Sequence, residues 1–296
     1  MIAVVGATGG LGGAICQALA SRGEHVRALV RESTSADRLS ELKAQAVELV
    51  HGDLRSPANL HALCTGSRTV ISSASALNSR VPGDTIRSVD EVGHLELIEA
   101  AEAAGVDQLI YVSLLPQVVS SPLEEAKVRV EQRLKGSGMS YTVLRPALFT
   151  EAWLSPKYWP VTGFDFIKRR ARLAGAGQRP VQWISLADVA RYAVSAIDNP
   201  ACHQLSFDLA GPEALSPLQV VQLLEHAGGP AFEVDHVSEQ DLRARQSRGD
   251  VFEQSFCALL LSCALGLECD AAPARTAMPF ELSTVSSYIS RITKHL

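Results

Sequence analysis

The amino-acid sequence predicts an α/β fold, with a doubly wound parallel sheet and a smaller lobe formed by the C-terminal half. From Met1 to about Pro146, strand-like apolar segments alternate with helical patterns, which is typical of a parallel sheet covered by helices on both faces. A glycine-rich turn follows the first strand and opens the first helix. The looser pattern after Pro146 contains neither a repeat nor a long linker, so we expect a lobe that packs on the sheet.

The composition indicates a globular protein. The chain has 296 residues, of which 47% are hydrophobic and 20% are charged, and this is enough to form one large core. A net charge of −5 argues against a surface that coats nucleic acid. The most apolar stretch, Cys257–Leu265, is shorter than the ~20 residues that cross a bilayer, so it predicts a buried or dimer-forming helix and no membrane anchor.

Cysteine, histidine and leader patterns narrow the class of protein further. The six cysteines form no C-x-x-C pair, which indicates reduced thiols. The eight histidines lack the spacing of a metal site, so we expect no metal. The chain begins directly with a strand and has no basic leader, so we expect a cytoplasmic protein, either a monomer or a homodimer.

The first predicted element is the strand Ile2–Val5, and a helix follows from about Gly10 to Ser21. The turn between them reads Gly6-Ala7-Thr8-Gly9-Gly10-Leu11-Gly12. Glycines allow the backbone to approach a pyrophosphate closely, and the free N–H groups at the start of a helix attract its negative charge. A second strand, His25–Val30, completes the beginning of a βαβ unit. This context predicts a dinucleotide phosphate site at the turn.

The remaining elements follow in the same alternating order. Further strands are predicted near residues 47–50, 69–73, 108–112 and 141–144. The segment Ile86–Ala104 predicts one long helix, because its apolar residues repeat at intervals of three and four. Hydroxyl residues suited to helix capping precede three more helices, at Ser121, Ser185 and Ser216.

Residues at the ends of the second and third strands bear on the choice of nucleotide. An acidic residue commonly closes the second strand of an NAD-binding unit and binds the ribose 2′-hydroxyl, but Arg31 stands here. Arginine suits a 2′-phosphate, so this position favours NADP over NAD, although Glu32 follows directly. Asp53, after the third strand, is placed to accept from the adenine amine. The alternatives are a solvated Arg31 and a turn-capping Asp53.

Motifs spread along the chain together resemble the atypical short-chain dehydrogenase/reductase family, in its NmrA-like branch. They are Gly6-x-x-Gly9-x-x-Gly12, Arg31, Gly52-Asp53-Leu54, Tyr111-Val112-Ser113, Lys127 and Leu144-Arg145-Pro146. The resemblance implies a Rossmann-like domain over residues 1–146, which binds NADP(H) across the carboxyl edge of its sheet. It also implies a substrate lobe over residues 147–296, with return segments to the core.

The resemblance assigns cofactor contacts to individual residues. Arg31 is expected to bind the 2′-phosphate, and Asp53 and Leu54 are expected to contact the adenine. Ala74, after the fourth strand, is expected near the cofactor, and Lys127 at the nicotinamide ribose. The residues expected along the phosphates are Gly6, Thr8, Gly9, Gly10, Leu11 and Gly12.

Position 123 departs from the pattern of the parent superfamily. There, a tyrosine four residues before the lysine exchanges a proton with the substrate, and the lysine lowers the pKa of its phenol. Leu123 stands at this position and provides no proton. The resemblance implies two options, because some members of this branch that lack the tyrosine use the lysine itself and others only sense NADP(H). Under the first option Lys127 is the candidate proton donor, with Ser113 as a hydrogen-bonding partner. Spacing alone favours a solvated Lys127 paired with Glu131, and it leaves Ser113 equally suited to capping a loop.

Aromatic residues after Pro146 and the missing tyrosine leave three functions open. Trp153, Tyr158 and Trp159 form either an apolar pocket for a planar substrate or the core of the lobe. The leading hypothesis is an NADPH-dependent reductase of a small apolar carbonyl, quinone or enone, in which Lys127 protonates the developing oxyanion. The first alternative is a non-catalytic sensor of NADP(H) that contacts a protein partner. The second is a sugar-nucleotide epimerase or dehydratase.

Overall fold

The computed structural model of the protein describes residues 1–77, 79 and 81–294. Strands occur in both halves of the chain. In chain order they are β1 (Ile2–Val5), β2 (Val26–Val30), β3 (Glu48–His51), β4 (Thr69–Ser72), β5 (Gln108–Val112), β6 (Ser140–Pro146), β7 (Leu148–Phe149), β8 (Phe164–Asp165), β9 (Arg170–Ala174), β10 (Val181–Ile184), β11 (Leu205–Leu209), β12 (Ala214–Leu215) and β13 (Glu233–Val237).

Helices connect most of these strands. They are α1 (Gly10–Ser21), α2 (Ala36–Ala44), α3 (Pro57–Cys64), α4 (His94–Ala103), α5 (Pro122–Lys135), α6 (Thr150–Trp153), α7 (Trp159–Thr162), α8 (Leu186–Ser195), α9 (Pro217–His226), α10 (Glu239–Arg248), α11 (Val251–Leu265), α12 (Ala272–Ala277) and α13 (Val285–Thr293). A π-helical segment spans Ile86–Gly93, and short 3₁₀ helices span Pro156–Tyr158 and Pro200–Cys202.

The central sheet is the Rossmann-like doubly wound sheet that the sequence predicts. It has seven strands in the order β11-β6-β5-β4-β1-β2-β3, and every neighbouring pair is parallel. All six strands predicted in the first half of the chain are present, and β11 adds a seventh from the second half. The strand order reverses between β1 and β4, so the loops that follow these two strands diverge and open a crevice at the carboxyl edge.

Two hydrophobic cores lie on the two faces of the sheet. On one face, α1 packs against α8 and contributes Ile15 and Leu19 to a core that continues into the lobe. On the other face, α3, α4 and α5 bury residues such as Leu63 and Leu134. Strands β1, β4 and β5 are buried along their whole length, as expected for parallel strands covered on both faces.

The segment predicted as one long α-helix differs from the prediction. It begins as the π-helical segment and becomes α4 at His94. An apolar repeat at threes and fours does not distinguish α-helical from wider π-helical turns, so sequence periodicity missed the change. Both Asp90 and His94 lie inside the protein, at 0% and 1% exposure. The wider turn therefore carries a charged and a polar side chain into the core beneath the crevice.

Part of the C-terminal half forms a lobe at the carboxyl edge, whereas β11 joins the central sheet and α8 packs against α1. Two small sheets, β12-β10-β7 and β13-β9-β8, lie in it. The apolar stretch Cys257–Leu265 belongs to α11, which packs against α5 and buries residues such as Leu261. Side chains of Ser121, Ser185 and Ser216 cap α5, α8 and α9, as predicted. Within the described ranges, no helix combines the length and the apolar character needed to cross a membrane.

The thiols of the protein are free, and all but Cys269 are buried. Burial raises the pKa of Cys16 to about 12 and that of Cys64 to about 11. Burial also raises the pKa of Cys263, in α11. Each of these side chains therefore stays a neutral thiol near pH 7 and packs as a small apolar group.

Candidate active site

Most of the predicted site residues surround one cleft of about 750 Å³. The cleft follows the carboxyl ends of the central strands, and α6, α7 and α11 of the lobe contribute to its wall. The predicted residues that line it are Gly6, Thr8, Gly9, Gly10, Leu11, Gly12, Arg31, Leu54, Ala74, Ser113, Lys127, Trp153 and Tyr158. Among the described residues, no group of three or more histidine, cysteine, aspartate or glutamate side chains is arranged to hold a metal ion.

The glycine turn after β1 forms a narrow backbone cradle. Gly6 has a φ of +87°, and a Cβ atom there would lie 2.8 Å from the backbone nitrogen of Ala74. A Cβ atom at Gly12 would lie only 2.1 Å from the carbonyl oxygen of Gly6. Helix α1 then begins at Gly10, and its first N–H groups have no partner within the helix. This arrangement fits a pyrophosphate, which needs close backbone approach and N–H donors.

Arg38, which the sequence analysis did not identify, braces this turn. Its guanidinium donates to the carbonyl oxygens of Thr8 at 3.1 Å and Gly9 at 3.0 Å, and it also pairs with Glu41. A Cβ atom at Gly13 would meet Arg38 Nη2 at 2.2 Å, so that glycine gives the arginine room to cross α1. Gly13, which follows Gly10 and Gly12 in α1, was the sequence signal that could have predicted this contact.

Arg31, at the carboxyl end of β2, lines the cleft but is not a free cation. Its Nη1 and Nη2 donate to the two carboxylate oxygens of Asp84 at 2.7 and 3.1 Å. Its Nε lies 3.0 Å from Asp53 Oδ2. The side chain of Arg31 is 27% exposed, so the alternative of a purely solvated arginine does not describe it.

Asp53 caps a turn and does not line the cleft. Its Oδ1 accepts from the backbone nitrogen of Arg55 at 2.9 Å, and both of its carboxylate oxygens accept from the Arg55 guanidinium at 2.9 Å. These bonds, together with the charge of Arg31, hold the pKa of Asp53 below its usual value. The structure thus places Asp53 in the turn-capping role, whereas the neighbouring Leu54 lines the cleft and is 3% exposed.

Lys127 lies on the inner face of α5 and reaches the cleft. The lysine is 5% exposed, so the expectation of a solvated lysine from helix spacing is wrong. Its Nζ lies 3.6 Å from Asp90 Oδ1, 3.4 Å from the carbonyl oxygen of Val112 and 3.5 Å from the Tyr111 hydroxyl. These distances exceed those of ordinary hydrogen bonds, so its protons are only loosely held. Burial lowers the pKa of Lys127, and the charges of Asp90 and Glu131 oppose this effect.

His94 lies close enough to Lys127 to sense its charge, and it stays in one protonation state. His94 Nδ1 lies 2.7 Å from the carbonyl oxygen of Val89, and Nε2 lies 2.8 Å from the Ser72 hydroxyl. Burial, and then the charge of Lys127, lowers the pKa of His94 to about 3. The neutral ring must donate from Nδ1 to the carbonyl, so the Ser72 hydroxyl donates to Nε2. His94 also packs edge-on against Tyr111, at 5.0 Å between ring centroids.

Ser113 lies at the end of β5, beside the lysine. It is 5% exposed, lines the cleft and donates its hydroxyl proton to Glu131 Oε1 at 2.6 Å. Glu131 in turn pairs with Arg145, so the predicted ion pair with Lys127 is replaced by one with that arginine. Because its proton is committed to a carboxylate, Ser113 is arranged to accept a hydrogen bond from a ligand.

Leu123 occupies the place of the missing tyrosine and is buried at 2% exposure. It lines the cleft one helical turn before Lys127, on the same face of α5. Its backbone nitrogen donates to the Ser255 hydroxyl of α11 at 3.2 Å. The wall of the cleft at this position is therefore apolar, and Lys127 is the ionisable residue that α5 contributes to the cleft lining.

The structure separates the three predicted aromatic pocket residues. Trp153 and Tyr158 line the cleft, and Trp153 packs edge-on against the buried Trp183 at 6.4 Å between ring centroids. Trp159 instead lines a second cavity of about 310 Å³, where Arg170 lies over its ring. The adjacent residues Tyr158 and Trp159 line different cavities, so adjacency in sequence did not predict a shared pocket. The residues that line both cavities are Val161, Phe256 and Leu260.

Glu151 is a further ionisable residue of the cleft that sequence reasoning missed. Its Oε2 accepts from the backbone nitrogen of Leu186, at the start of α8, at 2.9 Å. Burial raises the pKa of Glu151. Asp84 and Asp90 were missed as well, because both act through partners that are distant in sequence and no local motif marks them.

Comparison with known proteins identifies relatives of this chain. The protein is 26% identical to the photosystem II assembly factor Ycf39 of Synechocystis sp., over 311 aligned positions that cover 100% of this chain and 92% of that protein. It is 29% identical to the NAD(P)H azoreductase of Xenophilus azovorans, over 253 positions that cover 84% of this chain and 82% of that protein. These relatives include both an assembly factor and a reductase.

A solved structure shows the same fold over nearly the whole chain. The NADPH-dependent quinone oxidoreductase QOR2 of Escherichia coli, in complex with NADPH, has a TM-score of 0.76 and is 25% identical, with 99% of both chains covered. The model of the NmrA-like family matches residues 1–258, which include every predicted cofactor and catalytic residue. The chain therefore belongs to the NmrA-like family.

Proposed function

We propose that the protein is an NADPH-dependent reductase of a small, fairly apolar carbonyl, quinone or enone compound. The observation that carries this proposal is the cleft itself, which joins a glycine cradle for a pyrophosphate to a loosely held, buried lysine and an apolar end. The reductases among the relatives and the NADPH-bound neighbour support the same class of reaction.

The residues of the sheet edge are suited to hold NADP(H). The turn from Gly6 to Gly12 would hold the pyrophosphate, Leu54 and Ala74 would contact the nucleoside, and Arg31 would bind the 2′-phosphate. The bound cofactor supplies a hydride. We assign the binding of this group to residues 1–146 and the binding of the substrate to the lobe of residues 147–296, with β11 returning to the sheet.

In this proposal Lys127 holds the proton that neutralises the developing oxyanion, directly or through water. A lowered pKa makes an ammonium a better acid near neutral pH, and burial lowers the pKa of this one. Asp90 balances its charge at 3.6 Å without a short hydrogen bond, so the ammonium stays available to a ligand. Ser113 would accept a hydrogen bond beside it, since its own proton goes to Glu131.

The substrate end of the cleft favours apolar compounds. Leu123, Trp153, Tyr158 and Leu259 contribute its side chains. An aromatic wall of this kind binds planar, weakly polar molecules and excludes water from the reacting atoms. The Lys127 ammonium can donate a hydrogen bond to a carbonyl oxygen bound at this end of the cleft.

The first experiment measures binding and turnover separately. Fluorescence titration with NADPH and NADH gives the two dissociation constants, and a panel of quinones, enones and azo compounds then tests the consumption of reduced cofactor. We expect tighter binding of NADPH and consumption above the rate without enzyme for at least one class. Absence of binding for both nucleotides would overturn the proposal.

Replacing the lysine tests its role in the reaction. Lys127→Met keeps most of the buried side-chain volume but removes the proton, and we expect turnover to fall at least ~100-fold, within the range of general acid catalysis. The matched control is Lys135→Met on the exposed face of the same helix, which should keep its activity. Circular dichroism must show both variants folded, and unchanged kinetics in Lys127→Met would remove the lysine from the mechanism.

A second candidate function is a sensor that binds NADP(H) without turnover and contacts a protein partner. The observation that favours it is the match to an assembly factor over the whole chain, together with the apolar Leu123 in place of a tyrosine. Tight NADPH binding without turnover on any compound of the panel would favour this function over the reductase.

A further inference from the structure

We infer that Asp84 competes with the nucleotide for Arg31 and so sets how strongly the site distinguishes a 2′-phosphate from a 2′-hydroxyl. This inference rests on the proposed binding of NADP(H) and concerns the regulation of that same site. The carboxylate occupies the position of an anion on the arginine fork, in the cleft where the nucleotide would bind.

The guanidinium of Arg31 is fully engaged by carboxylates. Asp84 takes both terminal nitrogens in a bidentate pair, at 2.7 and 3.1 Å, and Asp53 takes Nε at 3.0 Å. Bidentate pairing is the geometry by which arginine also binds phosphate. A 2′-phosphate therefore gains the fork only when Asp84 leaves it.

The charge balance of the surrounding cluster adds to the competition. Among the residues that the structure describes, two arginines, Arg31 and Arg55, face two aspartates, Asp53 and Asp84, so the formal charges of these four side chains sum to zero. A phosphate that entered beside both carboxylates would meet no net positive charge. Once Asp84 has left, Arg31 and Arg55 outnumber the remaining carboxylate and attract the phosphate.

The Asp84 side chain is 2% exposed, against 24% for Asp53, so Asp84 leaves Arg31 only when its own segment moves, whereas Asp53 is bonded within its own turn. Asp53 accepts from the backbone and the guanidinium of Arg55, two residues away in the same turn. Asp84 instead belongs to the connection between β4 and the π-helical segment, and its other partners are the Ser79 hydroxyl and Arg55 Nη1 at 3.5 Å. Gly83 precedes it with a φ of +84°, a conformation that side chains rarely adopt.

The exchange also couples the nucleotide to the segment Val81–Asp84, since both Val81 and Asp84 line the cleft. Directly after Asp84, Thr85 caps the π-helical segment in a reciprocal pair with Ser88. A nucleotide with a 2′-phosphate thus releases Asp84 from Arg31, whereas one with a 2′-hydroxyl leaves the pair in place.

The test compares two nucleotides that carry no nicotinamide, 2′,5′-ADP and 5′-AMP, by isothermal titration calorimetry. Asp84→Asn keeps the shape of the side chain and removes its charge. We expect 2′,5′-ADP to bind about tenfold tighter to this variant than to the wild type, and 5′-AMP to change less than about twofold. Asp37→Asn, an exposed aspartate in the first turn of α2, is the control of equal charge and should change neither constant.

An unchanged ratio of the two dissociation constants in Asp84→Asn would overturn the inference, as would an equal gain for both nucleotides. If the wild type binds neither nucleotide, the proposed function fails first and the inference falls with it. Hydrogen exchange of the wild type covers the case in which the variant does not fold. The amides of Val81, Gly83 and Asp84 should exchange faster with 2′,5′-ADP than with 5′-AMP, and equal exchange would contradict the release of Asp84.

Discussion

Two ionic clusters of similar chemistry lie along the same cleft and differ in their burial. The Arg31 cluster, formed with Asp53, Arg55 and Asp84, keeps its arginines 27% and 31% exposed and Asp53 24% exposed, and only Asp84 is buried, at 2%. In the pair of Lys127 with Asp90, the exposed fractions are 6% and 0%. Water therefore reaches the arginines of the first cluster, whereas in the second the charge of Lys127 must be balanced by neighbouring protein groups.

The difference in burial separates arginines that water can reach from a lysine that is almost fully desolvated. In the Arg31 cluster, the guanidinium groups are open to water and to an incoming anion, so an arginine that loses a carboxylate can be solvated or paired again. Around Lys127, a charge that loses its partner remains desolvated, and this is costly. We expect substitutions in the first cluster to change ligand preference, and substitutions in the second to change folding stability and catalysis.

The largest expected effect comes from removing the buried carboxylate. Asp90→Ala leaves the Lys127 ammonium desolvated and unpaired, and we expect the free energy of unfolding to fall by ~3–5 kcal/mol in urea denaturation. Glu91→Ala is the matched control, since the neighbouring Glu91 pairs with the half-exposed Arg129 and should cost no more than ~1 kcal/mol. Equal losses in the two variants would erase the distinction between the clusters. The double variant with Lys127→Met should recover part of the loss.

The pH dependence of stability gives the next effect. His94 is neutral in the folded state because burial lowers its pKa to about 3 from its ordinary 6.5. The unfolded chain takes up a proton at the higher pKa, so stability is lost as pH falls from 6.5 toward 3, at up to ~1.4 kcal/mol per pH unit. His94→Gln should flatten this dependence by ~1–2 kcal/mol between pH 6.5 and 5. The exposed His61→Gln serves as the control, and parallel curves for wild type and His94→Gln would refute the prediction.

In the exposed cluster, the expected effect is on the choice of nucleotide. Arg31→Ala should weaken the binding of NADPH at least ~10-fold and that of NADH by less than ~3-fold, because only NADPH carries the 2′-phosphate. Arg31→Lys keeps the charge without the bidentate fork, so its affinity for NADPH should lie between those of the wild type and Arg31→Ala. Fluorescence titration measures all three, and an equal loss for both nucleotides would end the assignment of Arg31 to the 2′-phosphate.

The parts of the fold that sequence predicted are those set by local patterns. The six strands, the glycine turn and the serine caps each depend on residues within a few positions of one another. The addition of β11 to the sheet depends instead on its pairing with β6, which is distant in sequence. The π-helical segment was missed because its apolar residues repeat almost as in an α-helix.

The candidate site shows the same division. The cradle from Gly6 to Gly12 was predicted because its steric requirement is written in consecutive residues. Asp84, Asp90 and Arg38 act across long stretches of chain, so no local motif announced them. Lys127 was assigned to the cofactor by family resemblance, whereas its charged neighbours on the helix suggested a solvated residue.

The reactivity of the buried thiols described above can report local opening of the structure. Since Cys16 and Cys64 have raised pKa values near 12 and 11 and Cys263 is buried in α11, thiol reagents at neutral pH reach these residues only when the surrounding structure opens. Cys16 and Cys64 lie on helices of the sheet half, and Cys263 lies in the lobe. Their alkylation rates therefore measure the local opening of the sheet helices and of α11 separately. A single common rate would mean that these parts open as one cooperative unit.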